Sequence, residues 1–164
     1  GVLGAGAVGF NLEDTDYTSG ATQATSLADA AAHAQRLADL RAVADRRRVP
    51  VVINARIDTF IRYRDRDPAA VLDETVRRAR LYLEAGADCV YPIGVYQPDV
   101  AAKLVDILQA PVNANIHPSV VLADLAKSGV ARISVGPTAF RVLMGDLERR
   151  ARLLAGGDVA GFTG

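Results

Sequence analysis

The chain has 164 residues, half of them hydrophobic and 23% charged, with a formal net charge of zero. This is the make-up of a globular domain. It excludes two partners: no basic stripe offers nucleic acid a footprint, and no apolar stretch nears the roughly 18 uncharged residues of a membrane helix.

The opening Gly1-Val2-Leu3-Gly4-Ala5-Gly6 lacks a methionine and reads as the tail of a helix entering a strand, so further sequence upstream is expected. The first apolar run is Ala7-Val8-Gly9-Phe10-Asn11-Leu12, closed by Glu13-Asp14. After a Thr/Ser/Gly loop, Ser26 with Asp29 three residues on predicts the N-cap of a helix. That helix has Leu27, Ala30, Ala34, Leu37 and Ala44 on one face. Pro50 then leads into the β-branched run Val51-Val52-Ile53-Asn54-Ala55-Arg56. Asp67-Pro68 starts a second helix, with Val71, Leu72, Val76, Ala79 and Leu83, which stops at Gly86. Asp88-Cys89-Val90-Tyr91-Pro92 is a third strand, followed by a helix from about Pro98 to Leu108. Pro111-Val112-Asn113-Ala114-Asn115 is a fourth strand with a helix over 118–128. A fifth strand spans 130–135, and Gly136-Pro137 opens a last helix running to about Leu154.

Five βα units in tandem predict a parallel sheet with helical crossovers. A doubly wound nucleotide binder places its Gly-rich turn after the first strand. Here Gly4-x-Gly6-x-x-Gly9 precedes the strand and is read as a chance match, so the expected fold is an α/β (β/α)₈ TIM barrel. The polar residues gather where a barrel puts its chemistry, at the C-terminal strand ends. The first strand ends in Glu13, Asp14 and Asp16, and the second in Asn54, Arg56 and Asp58. The third offers Tyr91, the fourth Asn113, Asn115 and His117, and the fifth Arg132, Ser134 and Thr138.

Carboxylates at a strand end often only cap the next helix. Arg56 is different, because an unpaired buried ion costs several kcal/mol. It either bridges to Glu13 or Asp58, or faces a ligand carboxylate as a bidentate fork. Asn113 and Asn115 share one face of their strand, for structural hydrogen bonds or for a ligand. His117 stands at a helix entrance, where capping competes with catalysis, and Arg132 is suited to an interior salt bridge. Cys89, the only cysteine, sits early in its strand as core; a chain without a possible intrachain disulfide is expected in the reducing cytoplasm. Lys103 and Lys127 fall within helices, which leaves no strand-end lysine for a Schiff base. The carboxylate and amide oxygens that remain suit Mg²⁺, with Mn²⁺ as a substitute.

Four strings together resemble the isocitrate lyase/phosphoenolpyruvate mutase superfamily. Gly6-Ala7-Val8-Gly9-Phe10-Asn11-Leu12-Glu13-Asp14 is similar to its G-A-x-G-x-x-(I/L)-E-D strand. Val52-Ile53-Asn54-Ala55-Arg56-Ile57-Asp58 is similar to its A-R-T-D strand. Ala85-Gly86-Ala87-Asp88-Cys89-Val90-Tyr91-Pro92 and Gly129-Val130-Ala131-Arg132-Ile133-Ser134-Val135-Gly136 resemble its A-G-A-D-x-(I/V)-(F/Y) and G-V-x-R-(I/V)-S-x-G segments. The resemblance implies that residues 1–164 are one partial barrel domain carrying strands four to eight, with strands one to three and their metal-binding aspartates upstream. Such a piece has two raw sheet edges and is expected to fold poorly alone.

By the same resemblance, Glu13 helps hold Mg²⁺ through water, with Asp14 beside it as a metal residue. Arg56 and Glu13 are the catalytic pair. Arg56, Asn113, Ser134 and Tyr91 bind the substrate acid. The implied function is a lyase or decarboxylase acting on a small 2-oxo or 2-hydroxy (di)carboxylic acid through an enolate-like state, in a homotetramer. One departure bears on the reaction. Isocitrate and methylisocitrate lyases follow the E-D strand with a K-(K/R)-C-G-H loop, whose cysteine donates a proton. Here the stretch Thr15-Asp16-Tyr17-Thr18-Ser19-Gly20 has neither lysine nor cysteine, so Tyr17, Thr18 or Ser19 is the available donor. A phosphonate enzyme of the mutase or hydrolase type, and a barrel that binds oxo acids without turning them over, are the alternatives.

Overall fold

The computed structural model describes residues 2–18 and 26–164; Ser19 and Gly20 of the expected donor loop lie outside the described residues. A 3₁₀ turn, Val2–Ala5, leads into β1 (Gly9–Glu13). There follow α1 (Ala30–Arg46), β2 (Val52–Ile57), a short α2 (Thr59–Arg62), α3 (Pro68–Glu84), β3 (Cys89–Pro92), α4 (Pro98–Leu108), β4 (Asn113–Asn115), α5 (Leu122–Lys127) and β5 (Arg132–Ser134). The chain divides into two compact units, one to Ser134 and one from Val135.

In the first unit every strand pairing within the sheets is parallel: β1 with β2, β2 with β3, and β4 with β5. A single parallel bridge, Val90 to Val112, joins β3 to β4. Strand order therefore follows chain order without the reversal of a doubly wound sheet. This mixed α/β architecture is consistent with part of a TIM-barrel-like fold.

Alternation along the strands decides the two faces of the sheet. Ile53, Ala55 and Ile57 of β2 are sealed against Leu37 and Ala44 of α1 and Ala79 and Tyr82 of α3. Burying one such aliphatic side chain stabilises by about 1.5–3 kcal/mol. Val95, Ala101, Leu104, Ala114 and Leu125 form a second cluster under α4 and α5. The residues between these, Asn54 and Arg56 on β2 and Asn113 and Asn115 on β4, belong to the opposite face. Gly86 closes α3 at φ +96, where a side chain would be strained and would press on Arg41 Cγ at 3.1 Å.

Two helices start later than their sequences predict. Thr15 bridges Leu27, and the Ala28 amide donates to the Asp14 carbonyl at 2.8 Å. These bonds keep 26–28 extended, so Asp29 rather than Ser26 caps α1, accepting from the Ala32 amide at 2.9 Å. The helix expected over 118–128 shortens to α5, because the Ser119 amide folds back onto His117 Nδ1 at 3.2 Å and the Val120 amide onto the His117 carbonyl at 3.1 Å. The second unit consists of α6 (Thr138–Ala155) and α7 (Val159–Thr163), the latter unforeseen. Arg150 Nη1 ties them together, donating to the Phe162 carbonyl at 2.7 Å.

Candidate functional site

Glu13 and Arg56 are register partners at the ends of β1 and β2. Each sits one residue away from a core position, so both side chains rise from the sheet face opposite α1 and α3. They meet there, with Arg56 Nη1 2.7 Å from Glu13 Oε2. Asp58, completely buried, grips the other side of the guanidinium: Nε donates to Oδ1 at 2.7 Å and Nη2 to Oδ2 at 2.9 Å. Burial opposes the Arg56 charge, but Asp58 and then Glu13 outweigh it and hold the guanidinium above its ordinary pKa.

The two sequence readings of Arg56 are thus compatible. A guanidinium has five N–H donors. Asp58 takes one on Nε and one on Nη2, and Glu13 engages Nη1. Beyond that ion pair, Nη1 and the second N–H of Nη2 make no hydrogen bond among the described residues, so donors on both terminal nitrogens remain for a ligand carboxylate.

Glu13 is held on its other oxygen by Tyr17, whose hydroxyl donates to Oε1. That hydrogen bond raises the Tyr17 pKa, so the proton stays on the phenol. Tyr91 is aligned with Arg56 across β2 and β3. Its hydroxyl accepts from Asn115 Nδ2 at 2.7 Å, while Asn115 Oδ1 accepts from the Gly94 amide at 3.1 Å. Asn113 is wholly buried, and neither its Nδ2 nor its Oδ1 has a partner among the described residues. Ser134, aligned with Asn115 and half-buried, continues the row onto β5. Nearer the N-terminal ends of the same strands, Asn11, Asn54, Cys89 and Arg132 line a cavity of about 390 Å³. Asn54 Nδ2 donates to Asn11 Oδ1 there at 2.7 Å. Arg132 has no ion-pair partner among the described residues, against the expected interior salt bridge; its nearest ladder neighbours on β4 are amides, not carboxylates. Burial pushes the Cys89 thiol up to about 11, which leaves it unreactive. His117 supports its own turn, with Nδ1 2.7 Å from Ser119 Oγ.

Asp14 is the correction. Expected beside Glu13 as a metal residue, it lies on the opposite face, fully buried. Oδ1 accepts from the Asp58 amide at 2.9 Å. Oδ2 accepts from Tyr82 at 2.8 Å and from Arg78 Nη1 at 3.0 Å. Adjacent strand residues point to opposite faces, so the Glu-Asp pair cannot serve one ion from one side. Among the described residues no group of three His, Cys, Asp or Glu side chains could enclose a metal. On the Arg56 face Glu13 is a partly accessible carboxylate, which suits contact through a metal's water shell, whereas Asp58 is fully buried.

The sequence reading missed Thr15, Arg78 and Tyr82. Thr15 Oγ1 donates to Asp58 Oδ2 at 2.6 Å. The signal for Arg78 was its place on the buried stripe of α3, which runs Val71, Thr75, Arg78, Ala79 and Tyr82 rather than through Leu72 and Val76.

With this geometry in hand, three comparisons place the chain among known proteins. The family model described as phosphoenolpyruvate phosphomutase matches residues 1–155. A curated, uncharacterized protein of Mycobacterium tuberculosis strain H37Rv is 33% identical over 151 residues, covering 92% of this chain and 52% of that protein. A crystal structure of a candidate phosphonomutase from Burkholderia cenocepacia J2315 is 37% identical with a TM-score of 0.82, over 92% of this chain and 59% of that one. The fold is also that of 2,3-dimethylmalate lyase, at 22% identity and a TM-score of 0.74, over 90% of this chain and 50% of that one. The chain spans about half the length of the curated relatives it matches.

Proposed function

Because the chain belongs to the phosphoenolpyruvate phosphomutase family, within the isocitrate lyase/phosphoenolpyruvate mutase superfamily, we propose that it carries half of the active site of a Mg²⁺-dependent lyase or decarboxylase for a small 2-oxo or 2-hydroxy (di)carboxylic acid. Its five strands would be strands four to eight of an eight-stranded barrel, and residues 1–164 one partial domain of it, in a homotetramer working in the cytoplasm. The observation that carries this reading is the Glu13–Arg56 pair at 2.7 Å, with donors on both terminal guanidinium nitrogens not hydrogen-bonded among the described residues.

In this reading the free fork of Arg56 binds the substrate carboxylate, and Asp58 and Glu13 fix its direction. Glu13 would hold Mg²⁺, or Mn²⁺ in its place, through water; the ion would supply fixed positive charge where negative charge develops. Tyr91, Asn113 and Ser134 would line the rest of the acid's pocket, the Asn113 amide, unpartnered among the described residues, being a ready hydrogen-bonding group. With a 2-hydroxy acid, the hydroxyl would give its proton to Glu13 and its oxygen would form the carbonyl of one product as the carbon–carbon bond breaks, and the electron pair of that bond would pass to the other half as an enolate. The Tyr17 hydroxyl, already resting on Glu13, would return a proton to that carbon.

A phosphonate enzyme acting on a P–C bond is the second reading, favoured by the family model and by the loop without cysteine. A substrate panel on the full-length protein with Mg²⁺, followed by product NMR, separates them. Pyruvate release supports the lyase, and phosphonopyruvate turnover the P–C enzyme. Arg56→Ala should abolish either. No turnover of any oxo acid by the unmutated protein, with binding retained, would favour a non-catalytic oxo-acid-binding barrel.

A further inference from the structure

Behind the catalytic pair lies a second set of charges that nothing in the proposed chemistry uses. Arg78 is sealed inside the first unit, with Nε on Glu74 Oε1 at 2.7 Å and Nη1 on Asp14 Oδ2 at 3.0 Å. The Ala28 carbonyl also accepts from Nη1, at 3.0 Å. Tyr82 donates to the same Asp14 oxygen at 2.8 Å. Asp14 thereby keeps Oδ1 for the backbone amide of Asp58, at 2.9 Å. Thr15, the next residue, donates to Asp58 Oδ2 at 2.6 Å. Asp58 then presents both carboxylate oxygens to Arg56.

We propose that Asp14 and Thr15 are positioning residues: Asp14, from the far side of the sheet, fixes the backbone of Asp58, Thr15 fixes its carboxylate, and through Asp58 both set the direction in which the Arg56 fork points. The inference rests on the reading of Arg56 as the substrate-carboxylate clamp. The distances argue for it. Without the Asp14 bond the Asp58 amide loses its acceptor in a site closed to water. Without Thr15, Asp58 keeps only Arg56 itself among the side-chain donors described, so the two could swing together. A bidentate clamp tolerates little such motion, because a displacement of about 1 Å at a reacting centre can lower a rate by about 10²-fold.

The test uses the full-length protein and three variants. Thr15→Val keeps the shape and removes the hydroxyl, Thr15→Ser restores it, and Asp14→Asn removes the charge that Arg78 and Tyr82 hold. We expect Thr15→Val to lower kcat/KM for the oxo acid found in the panel about 10-fold, with Thr15→Ser returning to wild type and Asp14→Asn falling further. Hydrogen exchange of the Arg56 Nε–H, followed in ¹H–¹⁵N spectra, reads the same geometry without turnover. It should be slow in wild type and Thr15→Ser, and fast in Thr15→Val. If Asp14→Asn fails to fold, the Thr15 pair decides alone. A folded Thr15→Val with wild-type kcat/KM and a slowly exchanging Nε–H overturns the proposal. If the wild type turns nothing over, the reading of function fails while the exchange measurement still decides the positioning.

Discussion

Arg56 and Arg78 make a matched pair on opposite sides of one sheet. Each lies between two carboxylates: Arg56 has Glu13 and Asp58, and Arg78 has Asp14 and Glu74. Their exposure differs. The Arg56 side chain is 25% accessible, and that of Arg78 only 6%. Arg56 keeps unused donors on its terminal nitrogens among the described residues, whereas Arg78 adds the Ala28 carbonyl and the Tyr82 hydroxyl and is closed in. The same residue type with the same kind of partners is therefore left with open donors on one face and closed into the scaffold on the other. Open donors, more than the charge itself, separate the two.

The comparison is sharpest in paired replacements. Arg78→Met leaves Asp14 as a buried charge with no ionic partner, a change that costs about 3–5 kcal/mol in comparable buried pairs. We expect a large fall in Tm. Arg56→Met likewise leaves the fully buried Asp58 without an ionic partner, holding only the Thr15 hydrogen bond, so it too should lower Tm, and it should also eliminate oxo-acid turnover. Thermal melts and rates on both variants check this. The distinction collapses if a folded Arg56→Met still turns the oxo acid over.

Tyr17→Phe is the next step down. The side chain is exposed, 59% accessible, so stability should hold. If the phenol supplies the proton, kcat should fall by about 10²-fold or more, as removal of a general acid does, with little change in KM. An unchanged kcat would move the proton donor elsewhere in the loop.

Much of this was legible in the sequence. Strands with β-branched runs closed by charged residues are visible because period-two alternation and strand ends are local features. The pairing of Glu13 with Arg56 followed from both being the last polar residues on neighbouring parallel strands. What the sequence left dark is long-range or one residue off. The contact between Asp14 and Arg78 spans 64 positions, and no local pattern announces it. Asp14 looked like a metal residue because it adjoins Glu13, yet adjacency on a strand means opposite faces. Ser26 has the side chain of an N-cap, but tertiary pairing of 26–28 with the end of β1 overrides it. The family strings carried the functional reading, while the geometry added which side of the sheet Glu13 and Asp14 each face.

The smallest expected effect probes the sealed face through pH. His33 of α1 is wholly buried with its ring 4.9 Å from that of Tyr82, and among the described residues neither ring nitrogen makes a well-formed hydrogen bond. Burial is the main cause that lowers its pKa below the ordinary 6.5; Arg36 and Arg78 add to this, and Asp14 opposes it. In the unfolded chain the imidazole takes up a proton near pH 6.5, while in the folded chain it resists until lower pH. The unfolded state therefore binds more protons in that window, and stability is full above pH 6.5 and declines as pH falls toward the folded pKa. The slope from one such group cannot exceed about 1.4 kcal/mol per pH unit. Melts of the full-length protein between pH 7.5 and 5 should show this decline, and His33→Phe, which keeps the aromatic contact with Tyr82, should flatten it. A variant that keeps the wild-type slope would assign the proton uptake to another group and leave the sealed face insensitive to acid over that range.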